Sequence, residues 1–298
     1  MGEVSFLETL RDEINQTPKR RQELLCELGE VLGRTVVAYF TSFKYAVTID
    51  QSDVDMLEEV LRSTKISNGL CLVLNSPGGD SVAAERIIRI CRVYSDNVFD
   101  VLIPRRAKSA ATMIALGADR IFMGETSALG RIDPQLVTIE VDGTSTVLPA
   151  DVVIKSYDEL LGKAASIDGH LEPYLQQLSR YDPREIERLR RAVRLAEDIA
   201  LRCLKQGNFA GMSKQAIKKK IGIFLKPTIT KAHVREVFFD EVQKIGLNVE
   251  LIRHDDPIWG IVSELCLRAD YFVSSDYCKL IESPEHHFSL PWHEEAKK

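Results

Sequence analysis

Hydrophobic and polar residues follow two different periods in the first half of the chain. Short apolar runs typical of buried strands occur at 36–42, 70–74, 98–103 and 120–123. Between these runs, apolar residues recur with helical spacing at 52–61, 80–91 and 109–117. The run at 70–74 is apolar on both faces, as a strand inside a parallel sheet must be. Regular alternation of strand and helix predicts an α/β fold built on a mainly parallel sheet.

The second half of the chain has a mostly helical pattern. We predict a hairpin at 137–147, helices at 150–165, 183–206 and 231–245, and a strand at 247–252. Helical residues also precede the first strand, over 5–32 with a break at Pro18. Beyond 255, scattered aromatic and proline residues predict only a small appendage and a loose polar tail. The chain is therefore divided into an N-terminal helical extension (1–33), a main α/β domain (34–254) and a C-terminal appendage with its tail (255–298).

Composition and charge argue against several functions. The 298 residues carry a net charge of −5, and the basic runs are short and local, so we expect no nucleic-acid partner. No stretch approaches the roughly 18 apolar residues of a membrane span, and acidic residues stand near the N-terminus, where a signal peptide would be basic. The six cysteines form no CxxC pair and no metal-binding spacing, which is typical of buried thiols in a reducing compartment. We expect a cytoplasmic protein without a membrane span, a metal or a cofactor.

Two motifs carry candidate chemistry, and each comes after a predicted strand. Asn-Ser-Pro-Gly-Gly at 75–79 combines a proline that fixes φ with glycines that can take positive φ, so its peptide N–H groups can point into open space. Lys-Ser-Ala-Ala-Thr at 108–112 puts Ser109 at the front of a helix of small residues. Exposed amides that can bind an oxyanion, beside a hydroxyl nucleophile, are what acyl transfer requires.

Each motif by itself has an ordinary structural explanation. Pro-Gly-Gly can serve as a simple strand-to-helix turn, and Ser109 can cap a helix or pack among its alanines. The occurrence of both motifs within one predicted fold unit favours a functional site over either explanation.

These segments carry a family resemblance, together with Ala-Asp-Arg-Ile at 118–121 and Gly-Arg-Ile-Asp-Pro-Gln at 130–135. They resemble the Clp-protease/crotonase-like superfamily, and within it the serine dehydrogenase proteinase family, which is related to signal peptide peptidase A. The resemblance covers about 30–255. It implies a Clp-protease/crotonase-like spiral of β-β-α units, here with the N-terminal helical extension and small C-terminal appendage described above. It also implies assembly into a homo-oligomer.

The resemblance assigns roles to individual residues. Ser109 is implied as the nucleophile, and the backbone N–H groups of Gly78 or Gly79 and of Ala110 are implied as the oxyanion hole. The resemblance to the Clp branch does not supply a general base. The Clp branch has a histidine about 25 residues after the serine, just before Gln-Pro, whereas this chain has Ile-Asp-Pro-Gln at 132–135. No histidine occurs between Ser109 and His170, so the Ser-His-Asp triad of the Clp pattern is absent.

A lysine base is the alternative that the signal-peptide-peptidase branch implies, some forty to fifty residues after the serine. Lys155 and Lys163 fall in or near that window, and Lys155 is favoured because apolar neighbours could desolvate its amine. Lys108 is discounted, because its side chain is expected to diverge from the neighbouring serine. Asp133 either orients a base or holds the turn before Pro134.

The remaining histidines are weaker candidates for the base. His170 and His233 are fallback bases, and the histidines of the tail are expected at the surface.

The leading interpretation is a serine endopeptidase that forms an acyl-enzyme on Ser109, with a Ser-Lys dyad and a peptide or protein substrate. One alternative is a catalytically inactive scaffold or peptide-binding protein, which the missing histidine keeps open. A crotonase-type acyl-CoA enzyme is a third interpretation. It shares the fold and the oxyanion chemistry, but it has no need of Ser109.

Overall fold

The structure is a computed structural model that describes residues 18–139, 145–166, 169–225 and 236–292. Its first part alternates helices and strands in the order α1 (Lys19–Leu32), β1 (Thr35–Thr41), α2 (Gln51–Ser63), β2 (Leu70–Asn75), α3 (Ser81–Tyr94), β3 (Phe99–Ile103), β4 (Arg106–Ala107), α4 (Ala110–Leu116), β5 (Arg120–Gly124) and β6 (Ala128–Leu129). This order agrees with the α/β alternation that the sequence predicts.

The second part begins with a hairpin and continues mainly as helices. Its elements are β7 (Gln135–Ile139), β8 (Ser145–Pro149), α5 (Ala150–Ser166), α6 (Glu172–Leu178), α7 (Pro183–Gln206), α8 (Lys214–Lys220), α9 (Gly222–Leu225), β9 (Val237–Phe238), α10 (Phe239–Lys244), β10 (Val249–Ile252), α11 (Pro257–Val273), β11 (Tyr277–Glu282) and β12 (His287–Pro291). The tip of the predicted hairpin, Asp142-Gly143, lies outside the described residues.

A seven-stranded sheet in the order β10-β5-β3-β2-β1-β11-β12 organises the molecule. The first five strands of that order are parallel, whereas β11 runs antiparallel to β1 and β12 antiparallel to β11. Strand β2 is buried over its whole length, as its continuous apolar run predicts. Because the strands from β1 to β5 point the same way, the segments that leave their carboxyl ends, including both motifs, gather at one edge of the sheet.

Helices cover both faces of this sheet, as the alternation along β1 requires. Val37 and Tyr39 join the large core beneath α2, α3, α4 and α7, while Val36, Ala38 and Phe40 face α1 and α11. The two end helices pack against each other through α1 leucines and α11 residues such as Leu265. The molecule is therefore layered as helix, sheet and helix.

The C-terminal segment differs from the appendage that the sequence predicts. Strand β11 pairs with β1 in the central sheet, from Ala38 opposite Glu282 to Thr41 opposite Lys279, and α11 covers one face of that sheet. Helix α1 belongs to the same layer and is not an extension of the fold. Both differences have one cause: strand pairing across most of the chain leaves no local sequence signal, so the aromatic residues after 255 resemble a loop.

The region before β10 also differs from the prediction of one continuous helix at 231–245. Val237 and Phe238 form strand β9, in which Val237 pairs with Leu129 of β6, and only Phe239–Lys244 is helical. Residues 226–235 lie outside the described part of the chain. Pairing with a distant strand overrides a weak helical period at this position.

A small second core lies apart from the main one. It is formed by Ala150 and Val153 of α5 with Ile186 and Leu189 of α7. We call β7, β8, α5, α6 and the N-terminal half of α7 the arm. No helix within the described ranges is both long and apolar enough to cross a membrane.

Candidate active site

Ser109 lies immediately before α4 in a backbone conformation that few non-glycine residues adopt. Its φ is 50° and its ψ is −117°, and such conformations cost about 1–3 kcal/mol each. Two hydrogen bonds hold it there: Ser109 N–H donates to Arg131 O at 3.0 Å, and Met113 N–H donates to Ser109 O at 3.1 Å. The side chain is half-buried and does not cap the helix. The helix-cap explanation of this serine therefore fails, and its strained turn before a helix resembles the turn that carries the serine in a nucleophile elbow.

The glycine turn packs directly against this serine. A Cβ added to Gly78 would lie 2.7 Å from the Cβ of Ser109 and 3.0 Å from the nitrogen of Ala110. Gly78 has a φ of +99°, so both its conformation and its surroundings require glycine. A parallel bridge between Ser76 and Ala107 fixes the approach, with Lys108 N–H donating to Ser76 O at 3.0 Å. The structure thus brings the two motifs into contact.

Two peptide amides at this contact are free to bind an anion. Within the ranges that the structure describes, the N–H groups of Gly79 and Ala110 donate to no acceptor. The N–H of Gly78 differs, because it donates to Ser76 Oγ at 3.1 Å. Of the donors implied by the resemblance, Gly79 and Ala110 are therefore the free pair. Because Gly78 has no Cβ, the space next to the Ala110 N–H stays open.

A buried threonine ties helix α4 to the loops on either side of the site. Thr112 Oγ1 lies 2.7 Å from Ala107 O and accepts a hydrogen bond from Gly130 N–H at 3.2 Å. The hydroxyl is fully buried, so these bonds are protected from competition with water. Ser109 lies three residues before Thr112. The hydrogen bonds of Thr112 therefore fix the distance from Ser109 to the strand that leads to Arg131.

The structure does not bring the two candidate lysines to the serine. Lys155 lies on α5 with its side chain 69% exposed, and its Nζ pairs with Glu159 at 3.8 Å. Its expected desolvation is not found, because Val153 turns into the arm core while Lys155, two positions on, faces solvent. Lys163 is exposed further along the same helix. Among the described residues, no side chain forms a hydrogen bond with Ser109 Oγ.

The other candidate bases are also accounted for. Lys108 diverges from Ser109 as expected, and its Nζ pairs with Glu236 at 3.3 Å. His170 is exposed, and His254 pairs with Glu125 at the surface. His233 lies outside the described residues.

Sequence reasoning missed Arg131, whose guanidinium is buried beside the serine loop with only 1% of its side chain exposed. Its Nη2 lies 3.8 Å from Asp133 and 4.0 Å from Asp151, the second residue of α5. Ala150 N–H donates to Pro134 O at 2.9 Å, so helix α5 begins next to the strand that holds Ser109. The motif at 130–135 was the signal available in the sequence, but an arginine alone is typical of the surface.

Fold and site together define the class of this protein. It is an α/β protein in which a parallel strand ends in a glycine turn that contacts a serine before a short helix. Residues 21–160 match the family model of the ClpP-like SDH-type serine proteinases. This match includes both motifs and confirms the resemblance inferred from them. Similarity to the SDH-type serine proteinases is thus shown for this segment of the chain.

Sequence relatives extend the comparison over one short region. Two uncharacterized proteins of Methanocaldococcus jannaschii, MJ0137 and MJ1495, are 36% and 32% identical to this chain over 93 residues. The match covers 30% of this chain and 30% of each relative, so most of the length of those relatives lies outside the matched region.

Solved structures resemble the chain at low identity. A mutant of 1510-N, a membrane-bound stomatin-specific protease, is 14% identical, covers 74% of this chain and 80% of that chain, and has a TM-score of 0.34. ClpP1 from Listeria monocytogenes is 16% identical, covers 80% of this chain and 98% of that chain, and has a TM-score of 0.41. At these scores the fold rests on the sheet topology described above and on the family match.

Proposed function

We propose that this protein is a serine endopeptidase in which Ser109 is the nucleophile. Ser109 Oγ attacks the carbonyl carbon of a peptide bond, and its proton passes through a base to the departing amine as the C–N bond breaks. Water then attacks the resulting ester, the C–O bond to Ser109 breaks, and the hydroxyl regains its proton. The observation that carries this proposal is the contact between Gly78 and Ser109.

The free N–H groups of Gly79 and Ala110 are proposed as the oxyanion hole. Each belongs to a residue next to that contact, and neither is used by another acceptor in the described residues. Donors held in place before the reaction stabilise the developing negative charge without reorganisation, and loss of one such donor lowers rates on the order of 10²–10³-fold in well-studied enzymes.

A fluorophosphonate probe tests this function directly. The serine oxygen should displace fluoride from phosphorus, and mass spectrometry should locate the adduct on the peptide that contains Ser109. Absence of labelling in the wild-type protein would contradict the peptidase and favour the scaffold. In that case, tight binding of coenzyme A would support the crotonase-type alternative.

We propose a lysine of α5 as the general base, with Lys155 preferred over Lys163. Helix α5 begins beside the Ser109 loop, where Asp151 approaches Arg131. At about 1.5 Å per residue, Lys155 lies roughly 7.5 Å along the helix from its first residue and Lys163 roughly 20 Å. The exposed amine of Lys155 then has to approach Ser109 by movement of the arm.

Replacing Lys155 by alanine should lower the rate of labelling by about 10²–10⁴-fold, the range typical of a lost general base. The matched control is Lys163→Ala, which should stay within about threefold of wild type. The second-order labelling rate between pH 6 and 10 measures both. Equal rates in both variants would show that neither lysine acts as the base.

We also propose that the chain forms a homo-oligomer through the arm. Large apolar side chains are exposed in the arm or next to it, at Leu148, Val152, Leu161, Leu171 and Leu175. Burial of such a side chain against a second copy stabilises association by about 1.5–3 kcal/mol. Exposed apolar side chains that are close together in this way are typical of surfaces that bind another protein.

Light scattering after gel filtration measures the oligomeric state. The double variant Leu161→Glu, Leu175→Glu should reduce the molecular mass toward that of one chain, because buried carboxylates are costly. Val93→Glu, at an exposed position on α3 outside the arm, serves as the control and should leave the mass unchanged. A monomeric wild-type protein would contradict this part of the proposal.

A further inference from the structure

Lys279 of β11 is a buried cation at the centre of a cluster of ion pairs. Only 3% of its side chain is exposed, and its Nζ lies 2.8 Å from Asp50 Oδ2 and 2.8 Å from both carboxylate oxygens of Asp53. Asp53 is completely buried. Burial raises the pKa of the Asp53 carboxyl, although Lys279 opposes this effect. Removal of Lys279 would leave the buried Asp53 carboxylate without the cation that pairs with it.

Hydrogen bonds lead from this cluster to the glycine turn of the candidate site. Asp50 directly follows Ile49 in the chain. Ile49 N–H donates to Gly78 O at 2.8 Å, and Asp80 N–H donates to Ile49 O at 2.8 Å. A Cβ on Gly79 would come within 2.3 Å of that same Ile49 oxygen. The turn therefore lies directly on the backbone of Ile49.

The position of Ile49 depends in turn on the cluster. Asp50 caps α2 and forms a reciprocal capping box with Asp53, so both carboxylates are held by the first turn of that helix and by Lys279 together. The loop that carries Ile49 ends at this point. Any displacement of Asp50 moves the backbone on which Gly78 and Gly79 rest.

We propose that Lys279 is a positioning residue that holds the oxyanion turn in place through Asp50, Asp53 and Ile49. Lys279 lies outside the segment that matches the protease family, so the C-terminal strand supplies part of the active-site scaffold. The inference rests on the proposed peptidase function, in which Gly79 is an oxyanion donor. Its structural half, the control of the turn by Lys279, can be measured without activity.

The first measurement is the labelling rate with a fluorophosphonate probe. Lys279→Met should lower the rate, and kcat for a peptide substrate, by about 10–100-fold with KM within threefold, because a displaced donor loses effect steeply with distance. Asp50→Asn keeps a capping side chain at a half-exposed position and should cause a smaller loss in the same direction.

The matched control is Arg21→Met. Arg21 forms an equally buried ion pair with Glu282 of the same strand, on the opposite face of the sheet. Both Arg21→Met and Lys279→Met should lower the thermal midpoint of unfolding. Only Arg21→Met should keep the labelling rate within threefold of wild type. An equal loss of rate in both variants would overturn the proposal, since it would reflect general destabilisation.

Hydrogen exchange supplies the readout that does not need activity. In Lys279→Met, the amides of Ile49 and Asp80 should exchange at least about tenfold faster than in wild type, and in Arg21→Met they should not. Unchanged exchange in Lys279→Met would overturn the proposal even if labelling falls. If the wild-type protein is never labelled but the Lys279→Met variant exchanges these amides faster, the positioning role is supported and only the peptidase function is contradicted.

Discussion

Replacement of Ser109 by alanine should abolish fluorophosphonate labelling and lower peptide hydrolysis by at least about 10³-fold, the size of effect seen when a serine nucleophile is removed. The fold should be unaffected. The Ser109 side chain makes no capping hydrogen bond, and alanine would occupy the same strained backbone without losing one. The expected change in the free energy of unfolding is therefore within about 0.5 kcal/mol. Denaturant unfolding and the labelling rate of the purified protein measure the two quantities.

Ser81→Ala is the matched control for this change. Ser81 is a half-exposed serine at the first position of α3, on the other side of the glycine turn. It should label at the wild-type rate. Persistent labelling of Ser109→Ala, or an adduct on another serine, would contradict the assignment of the nucleophile.

Replacement of Gly78 by alanine should reduce labelling by about 10²–10³-fold, as loss of an oxyanion donor does. The new methyl group would lie 2.4 Å from Lys108 O and 2.7 Å from Ser109 Cβ, so the turn and the serine must move apart. The φ of +99° adds strain of about 1–3 kcal/mol. Stability should fall along with the rate, and the same two measurements detect both losses.

Gly33→Ala separates the two causes. Gly33 also has positive φ, at 63°, but an added Cβ would meet nothing within 4 Å. This variant should lose some stability and keep the wild-type labelling rate. If Gly78→Ala labels within threefold of wild type, the turn does not form the oxyanion hole and the peptidase proposal loses its main support.

The parts of the fold that follow from the sequence are those that depend on neighbouring residues. Helix α7 spans Pro183–Gln206, as predicted, because Asp182 caps it, proline suits its first turn and Gly207 follows it. Strands β2 and β5 follow from short apolar runs in the same way. The contact between the two motifs was also predictable, because each follows a strand of the same parallel sheet.

The remaining features depend on partners far away in the chain. Strand β11 pairs with β1, and Lys279 bonds to Asp53 across 226 positions, so no local pattern reveals either. The exposure of Lys155 has a geometric reason. Successive helix positions turn by about 100°, so a run of apolar neighbours cannot all share its face. Whether Lys155 or Lys163 acts as the base stays a prediction.

The antiparallel pairing of β1 with β11 has a consequence for biosynthesis. At about 5–20 residues per second, a ribosome needs roughly 10–50 s to complete the approximately 240 residues that separate the two strands. During that interval β1 has an open edge and its Phe40 face lacks the cover of α11. Unpaired strand edges are templates for aggregation, so the edge of β1 is exposed to such pairing until β11 emerges. The turn beside Ser109 likewise lacks the Lys279 ion pairs until β11 has been synthesised.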